Sequence, residues 1–234
     1  MPADALLRIS GLTKRFTIHQ FDKQIPGCTD ISLRIPAGSF TGITGRSGSG
    51  KSTILKLIYR TYLPQKGQIW YHSRELGFID LAQATERTVL QLRKSEIGYV
   101  SQFLRVIPRT TAREIVEHAA LETGTDATTA SARASEMLAH FELDRTLWDN
   151  YPNTFSGGEK LRLNIARAMV KYPRLLLLDE PTASLDAHSK RKVRELIERL
   201  KREGTTMLGI FHDLDFMSGL CDQEYTMDSG RLLG

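Results

Sequence analysis

The chain has 234 residues, 41% of them hydrophobic and 25% charged, with a formal net charge of +5. That length and balance suit one large α/β domain, or a core with a small inserted subdomain, and exclude a disordered or fibrous chain. Two cysteines, Cys28 and Cys221, lie far apart without metal-ligand or disulfide-framework spacing, which points to a reduced, cytoplasmic protein.

Met1-Pro2-Ala3-Asp4 shows no charged segment followed by an apolar run, so no signal peptide is expected. Residues 6–18 and 31–35 read as β-rich. The polar stretch 19–30, with Pro26-Gly27, reads as a hairpin excursion between them. Pro36-Ala37-Gly38 is a turn, and residues 39–44 form a short strand. Four segments then share one design, a β-type run that ends in a polar residue or loop. Phe40-Thr41-Gly42-Ile43-Thr44 leads into a glycine loop, and Ile97-Gly98-Tyr99-Val100-Ser101 leads to Gln102. Leu175-Leu176-Leu177-Leu178 leads to Asp179-Glu180, and Met207-Leu208-Gly209-Ile210-Phe211 leads to His212. Helical patterns separate the later ones, which predicts a mostly parallel sheet covered on both faces. Ligands of such sheets sit at the carboxyl ends of the strands, so the four polar ends are expected to converge.

Between these strands, residues 112–121 and 130–141 carry helical patterns joined by Glu122-Thr123-Gly124-Thr125-Asp126. We therefore expect a helical subdomain over 102–154, inserted into an α/β core of residues 1–101 and 155–234. The four-leucine run is far too short to cross a bilayer, and no membrane insertion is expected. A basic stretch runs from Lys190-Arg191-Lys192 to Lys201-Arg202, but Val193, Leu196, Ile197 and Leu200 recur through it at helical spacing. It reads as an amphipathic helix with a solvated basic face, so no specific nucleic acid is expected.

Gly45-Arg46-Ser47-Gly48-Ser49-Gly50-Lys51-Ser52 fits G-x-x-x-x-G-K-[ST] between a strand and the helical pattern 52–59. The glycines let backbone N–H groups turn inward around phosphate oxygens, and the helix points its positive end at the same anion. Lys51 supplies a cation for the β- and γ-phosphates, and the Ser52 hydroxyl can ligate Mg²⁺. Asp179, at the end of an apolar strand, is a second candidate for the metal, and Glu180 a candidate to orient the attacking water. His212 is a candidate γ-phosphate contact, and the Gln102 amide can reach Mg²⁺ or water.

Phe155-Ser156-Gly157-Gly158-Glu159 opens a further helical pattern. Ser156 and Glu159 form S-x-x-E, a capping box. Gly157 and Gly158 in a first turn cost about 1 kcal/mol each against alanine, and close approach to an anion would explain them.

Taken in this order and spacing, the motifs resemble those of the ATP-binding cassette ATPases over almost the whole chain. The resemblance implies a P-loop NTPase (RecA-like) fold with an N-terminal antiparallel β subdomain and an inserted helical subdomain. It implies that Mg-ATP contacts Gly45, Ser47, Gly48, Ser49, Gly50, Lys51, Ser52 and Thr53, and that Phe16 stacks on adenine. It assigns catalysis to Glu180, His212, Gln102 and Lys51, and metal binding to Ser52, Gln102 and Asp179. Ser156, Gly157, Gly158 and Glu159 match the cassette signature, and Ser184-Leu185-Asp186 the loop that crosses a head-to-tail dimer interface. Each ATP would lie between one subunit's phosphate loop and the other's signature, in a homo- or heterodimer. The usual leucine and glutamine of the signature are Phe155 and Glu159 here, which places a carboxylate near a phosphate site.

Further segments resemble one branch, the L-type ATP-binding subunit of the carbon–phosphorus lyase system. They are Tyr62-Leu63-Pro64, Gly67-Gln68-Ile69, Val100-Ser101-Gln102-Phe103-Leu104-Arg105-Val106-Ile107-Pro108-Arg109, Thr154-Phe155-Ser156-Gly157-Gly158-Glu159 and Gly209-Ile210-Phe211-His212-Asp213. That likeness implies subunits of a soluble phosphonate-degrading complex as partners, with Phe103-Leu104 and Val106-Ile107-Pro108 as a docking patch. The competing expectations are the motor of a membrane exporter and a slow ATP-gated interaction module.

Overall fold

The structure is a computed structural model that describes residues 5–18, 23–101, 104, 108–183 and 185–233. Residues 1–4, 19–22, 102, 103, 105–107, 184 and 234, among them Gln102, Phe103, Val106, Ile107 and Ser184, lie outside the described residues. In chain order the strands and helices begin with β1 (Ala5–Ile18), β2 (Lys23–Pro36), β3 (Phe40–Thr44), α1 (Lys51–Ile58), β4 (Lys66–Ser73) and β5 (Gly77–Asp80). There follow α2 (Glu86–Ser95), β6 (Ile97–Val100), α3 (Ala112–Leu121), α4 (Ala127–His140), α5 (Gly157–Met169) and β7 (Leu175–Asp179). The chain closes with α6 (Ala187–Arg202), β8 (Thr206–Ile210), α7 (Leu214–Met217), β9 (Gln223–Asp228) and β10 (Arg231–Leu233).

Two sheets result. The first is antiparallel, in the order β2-β1-β4-β5, and the second has six strands in the order β10-β9-β3-β8-β7-β6. Strands β9, β3, β8, β7 and β6 run parallel, and only β10 is antiparallel to its neighbour. The four strands expected to share a sheet are thus consecutive neighbours, β3-β8-β7-β6.

The leucine run shows why a continuous apolar stretch is a strand here. Leu175 and Leu177 face a core formed with α1 and the antiparallel sheet, where Ile54, Leu55, Leu7 and Ile31 are buried. Leu176 and Leu178 face a second core formed with α3 to α6, where Val116, Leu138, Ile165 and Ile197 are buried. Alternate side chains of a strand point to opposite faces, and both faces are covered, so every position is apolar. Val193, Leu196, Ile197 and Leu200 are all buried on one side of α6. Arg191, Lys192 and Arg202 are exposed, while Lys190, Arg194, Arg199 and Lys201 flank the buried stripe and bond to Asp213, Phe216, His140 and Leu220. Both cysteines are free, and burial pushes the Cys28 thiol up to about 11 and the Cys221 thiol up to about 12.

Several local boundaries differ from expectation. Residues 23–30 are not an excursion but the first half of β2, paired to β1 through Phe16↔Ile25 and Lys14↔Cys28. Pro26 is accommodated where the register shifts between Lys14 and Arg15, a place where a missing N–H is tolerated. The helix after the glycine loop begins at Lys51, one residue early. Helix α4 begins at 127, not 130, because Asp126 caps it by accepting from Thr129 N–H at 3.0 Å. Phe155 is buried in the same core as Leu161, Ile165 and Leu138, so the larger ring at that signature position fills interior space.

Candidate nucleotide-binding site

The loop from β3 to α1 is shaped by close approach. Gly45, Gly48 and Gly50 have φ of 139°, 77° and 102°. A Cβ on Gly50 would lie 1.8 Å from the Gly27 carbonyl oxygen, and one on Gly45 would lie 2.1 Å from that of Met227. At Gly48 nothing lies within 4 Å, so that stretch is open to an incoming group. Ser49 Oγ is buried with no hydrogen-bond partner, while exposed Ser47 sits at the rim. Lys51 is 3% exposed and folds back on the loop, donating to the carbonyls of Gly45 at 2.8 Å and Arg46 at 2.9 Å. Burial holds its ammonium below the usual lysine range, and nearby Glu180 and Asp179 pull the other way.

Asp179 ends β7 beside this loop. Ser52 Oγ donates to its Oδ1 at 2.8 Å, and the Tyr99 hydroxyl donates to its Oδ2 at 2.6 Å. Burial and the bond to Asp179 raise the Tyr99 phenol far above its ordinary range, so it keeps its proton. Among the described residues no three His, Cys, Asp or Glu side chains are grouped to hold a metal by themselves. Ser52 and Asp179 nevertheless present hard oxygens to one point, which fits an ion that takes its remaining ligands from phosphate and water.

Glu180 follows with φ of 51°, a left-handed turn that costs a residue with a Cβ about 1–2 kcal/mol. The turn aims its carboxylate across the strand ends, where Oε1 lies 2.7 Å from His212 Nε2. Asp213 anchors the His212 turn by accepting from Lys190 Nζ at 2.6 Å and Phe216 N–H at 3.0 Å.

A cavity of about 240 Å³ is lined by Phe16, Gly27, Gly48, Lys51, Ser52, Thr53 and Glu180 among others, while Asp179 opens with Tyr99 on a second cavity and His212 shares a third with Glu180. Phe16 stands half-buried at the wall of the first, edge-on to Tyr62 at 5.2 Å. The other expected site residues lie elsewhere. Ser156, Gly157, Gly158, Glu159 and Asp186 line none of the first cavity. Ser156 and Gly157 are exposed at the start of α5. The capping box is complete: Ser156 N–H donates to Glu159 Oε2 at 2.7 Å, and Glu159 N–H to Ser156 Oγ at 3.3 Å. Glu159 therefore spends its carboxylate on its own helix end. Asp186 caps α6 by accepting from Ser189 N–H at 2.7 Å, and a Cβ on Gly158 would lie 3.2 Å from Ser189 Oγ. The two helix starts thus stand together, away from the phosphate loop.

Tyr99 and Gly27 are the parts that motif reading misses. Tyr99 is paired with Leu177 in the parallel ladder, so the two-residue period puts it on the same face as Asp179. Gly27 touches the loop only through long-range pairing, which no local pattern announces.

A parallel sheet whose strand ends gather a glycine loop, a lysine, a Ser–Asp oxygen pair and a turned glutamate defines a P-loop nucleoside triphosphatase. The ABC transporter family matches residues 28–183 of the chain. The chain belongs to that family and is one of its ATP-hydrolysing cassettes. It is 34% identical over 230 residues to the lipoprotein-releasing system ATP-binding protein LolD of Shewanella oneidensis, covering 98% of this chain and 96% of that protein. It is 35% identical over 214 residues to the ABC transporter ATP-binding protein YtrE of Bacillus subtilis, covering 91% and 90%. The cassette MJ0796, solved as a dimer in a post-hydrolysis state with ADP and Pi, superposes with a TM-score of 0.88 at 28% identity over 97% of each chain. None of these proteins is named for phosphonate breakdown, so the comparisons carry the family and not the carbon–phosphorus lyase likeness. No helix among the described residues is long and apolar enough to cross a membrane.

Proposed function

We propose that the chain hydrolyses Mg-ATP in a site that a second cassette subunit completes, and that the cycle acts on a further partner. The observation that carries this reading is the separation within one chain. The phosphate loop and Glu180 share a cavity, while the second glycine-bearing helix start is exposed elsewhere. The dimeric state of MJ0796 with ADP and Pi supports the same arrangement.

In that site the loop N–H groups and the α1 N-terminus receive the phosphates. Lys51 exchanges its two carbonyl partners for phosphate oxygens, and Phe16 lies along the base. Bound between Ser52, Asp179 and the phosphates, Mg²⁺ would neutralise charge on the transferring group. Glu180 orients the water by accepting its proton, and His212 releases Glu180 to contact the γ-phosphate. Gln102 is assigned to the metal or the water. Ser156, Gly157 and Gly158 of the second subunit close over the γ-phosphate, with Asp186 beside them. A copy of this chain or a related cassette would serve as that subunit.

For the partner, the relatives favour a membrane-embedded transport chain, since LolD is named for lipoprotein release and YtrE for transport. A second reading, the L-type subunit of a soluble carbon–phosphorus lyase complex, rests on the segments around Tyr62-Leu63-Pro64, Gln102, Ser156 and His212. The test is to purify Glu180→Gln with ATP from cells grown on a phosphonate and to identify what accompanies it. A permease supports the first partner and soluble lyase subunits the second. A chain that stays monomeric at saturating ATP, with no cassette partner, refutes the shared site.

A further inference from the structure

The structure assigns Tyr99 as a positioning residue for the metal ligand Asp179, an inference that rests on the Mg-ATP reading above. Three observations carry it. First, Asp179 is 8% exposed and its carboxylate meets two side-chain donors, Ser52 Oγ on Oδ1 at 2.8 Å and the Tyr99 hydroxyl on Oδ2 at 2.6 Å. Second, those donors differ in kind. Ser52 is itself a proposed metal ligand, so its bond to Asp179 rearranges when an ion arrives. Tyr99 is not, so its bond can hold Oδ2 while Oδ1 turns to the metal. Third, the ring is fixed. Tyr99 stands on β6 in register with Leu177, two residues before Asp179. Its ring packs on Tyr59 at 4.9 Å between centroids. A hydrogen bond from a rigid donor to a ligating carboxylate pre-sets the ligand's direction, and loss of such a partner weakens metal binding about 10- to 100-fold.

The test compares wild type, Tyr99→Phe and Tyr59→Phe. Phenylalanine keeps the packing at 99 and deletes only the hydroxyl, while Tyr59→Phe removes a hydroxyl from the same surroundings. Mn²⁺ binding is read by electron paramagnetic resonance with a non-hydrolysable ATP analogue present, and analogue binding is read separately in EDTA. Tyr99→Phe is expected to weaken Mn²⁺ about tenfold, with metal-free analogue affinity unchanged and the melting temperature lowered only by the loss of one hydrogen bond. Turnover should fall at low Mg²⁺ and recover at saturating Mg²⁺. Tyr59→Phe should match wild type throughout. Unchanged Mn²⁺ affinity in Tyr99→Phe, or an equal loss in Tyr59→Phe, overturns the assignment while leaving the ATPase reading intact. Wild type that binds no Mn²⁺ with the analogue refutes both. A 3-fluorotyrosine at position 99 gives a check that needs no deletion: its ¹⁹F resonance should shift between the EDTA and Mg²⁺ forms, and an unmoved signal again overturns the assignment.

Discussion

Glu180 Oε1 and His212 Nε2 lie 2.7 Å apart, held there by the pairing of Asp179 with Ile210 at the ends of β7 and β8. Each side chain therefore occupies the other in this structure, and both roles proposed above require the contact to open. Glu180→Gln should lower phosphate release by about 10²- to 10⁴-fold, the range for loss of a general base, while nucleotide affinity stays within about twofold of wild type. The amide still meets His212 but takes no proton. Turnover close to wild type would remove Glu180 from the chemistry.

Lys51 donates to two loop carbonyls and is proposed to bind phosphate, and one substitution tests both. Lys51→Ala should weaken ATP binding about 10- to 100-fold, the loss of a charge-assisted contact worth about 1.5–3 kcal/mol. It should also lower nucleotide-free stability by about 1 kcal/mol, because the Gly45 and Arg46 carbonyls lose their shared donor. Isothermal titration and chemical denaturation read the two effects independently.

The loop glycines are not equivalent. Gly48→Ala meets only backbone strain, since its φ is 77° and nothing lies within 4 Å, and should cost about 1–2 kcal/mol. Gly50→Ala adds a Cβ 1.8 Å from the Gly27 carbonyl. It must push β2 off the loop, so its loss of stability and of ATP affinity should both exceed those of Gly48→Ala. Equal melting temperatures for the two variants would contradict the close approach of Gly27 and Gly50.

At the second helix start, Ser156→Ala removes an N-cap and should cost about 1 kcal/mol in stability. Ser156→Arg places a bulky cation where a second subunit's nucleotide is proposed to sit. It should leave ATP binding to the monomer intact and stop hydrolysis. If Ser156→Arg and Ser156→Ala hydrolyse ATP equally well, the exposed end of α5 has no function beyond its cap.

Asp213 titrates below the ordinary carboxylate range because Lys190 holds it and Phe216 N–H donates to it. A carboxyl whose folded pKa is depressed stabilises the fold above its unfolded pKa, about 4, and loses that contribution as pH falls through the folded value. Lys190→Met removes the first-named cause. The melting temperature of wild type should exceed that of Lys190→Met near neutral pH, and the gap should narrow below about pH 4. A gap that widens on acidification would reverse the assignment.

The strands that carry the site are legible because their chemistry and their burial agree. Leu175 to Leu178 is apolar throughout for a sheet covered on both faces, and Asp179 follows it at the strand end, where Ser52 and Tyr99 donate to it. Ser156 and Glu159 announce their cap at three-residue spacing, and the structure forms both of its hydrogen bonds. Strand β9 is illegible for the opposite reason. Of its six residues only Met227 is buried, and it is a strand because β3 pairs with it. The first half of β2 is hidden by Pro26 and its polar neighbours and exists through its partner β1. Tyr99 has no motif around it, and its meaning appears only when the β6–β7 register is known.

Glu96, buried between α2 and β6, joins the two sheets. Its carboxylate accepts from Tyr71 Oη at 3.0 Å, Ser73 Oγ at 2.7 Å and the Arg74 N–H at 3.1 Å. Its own carbonyl accepts from the N–H groups of Arg174 and Leu175 at 2.8 and 3.0 Å. One residue therefore rivets the end of β4 to the root of β7. The antiparallel sheet that carries Phe16 and the strand that carries Asp179 are thus tied to each other through one buried side chain and its own carbonyl. Sliding one sheet past the other would strip that buried carboxylate of its three donors, so the fold resists slippage at this point.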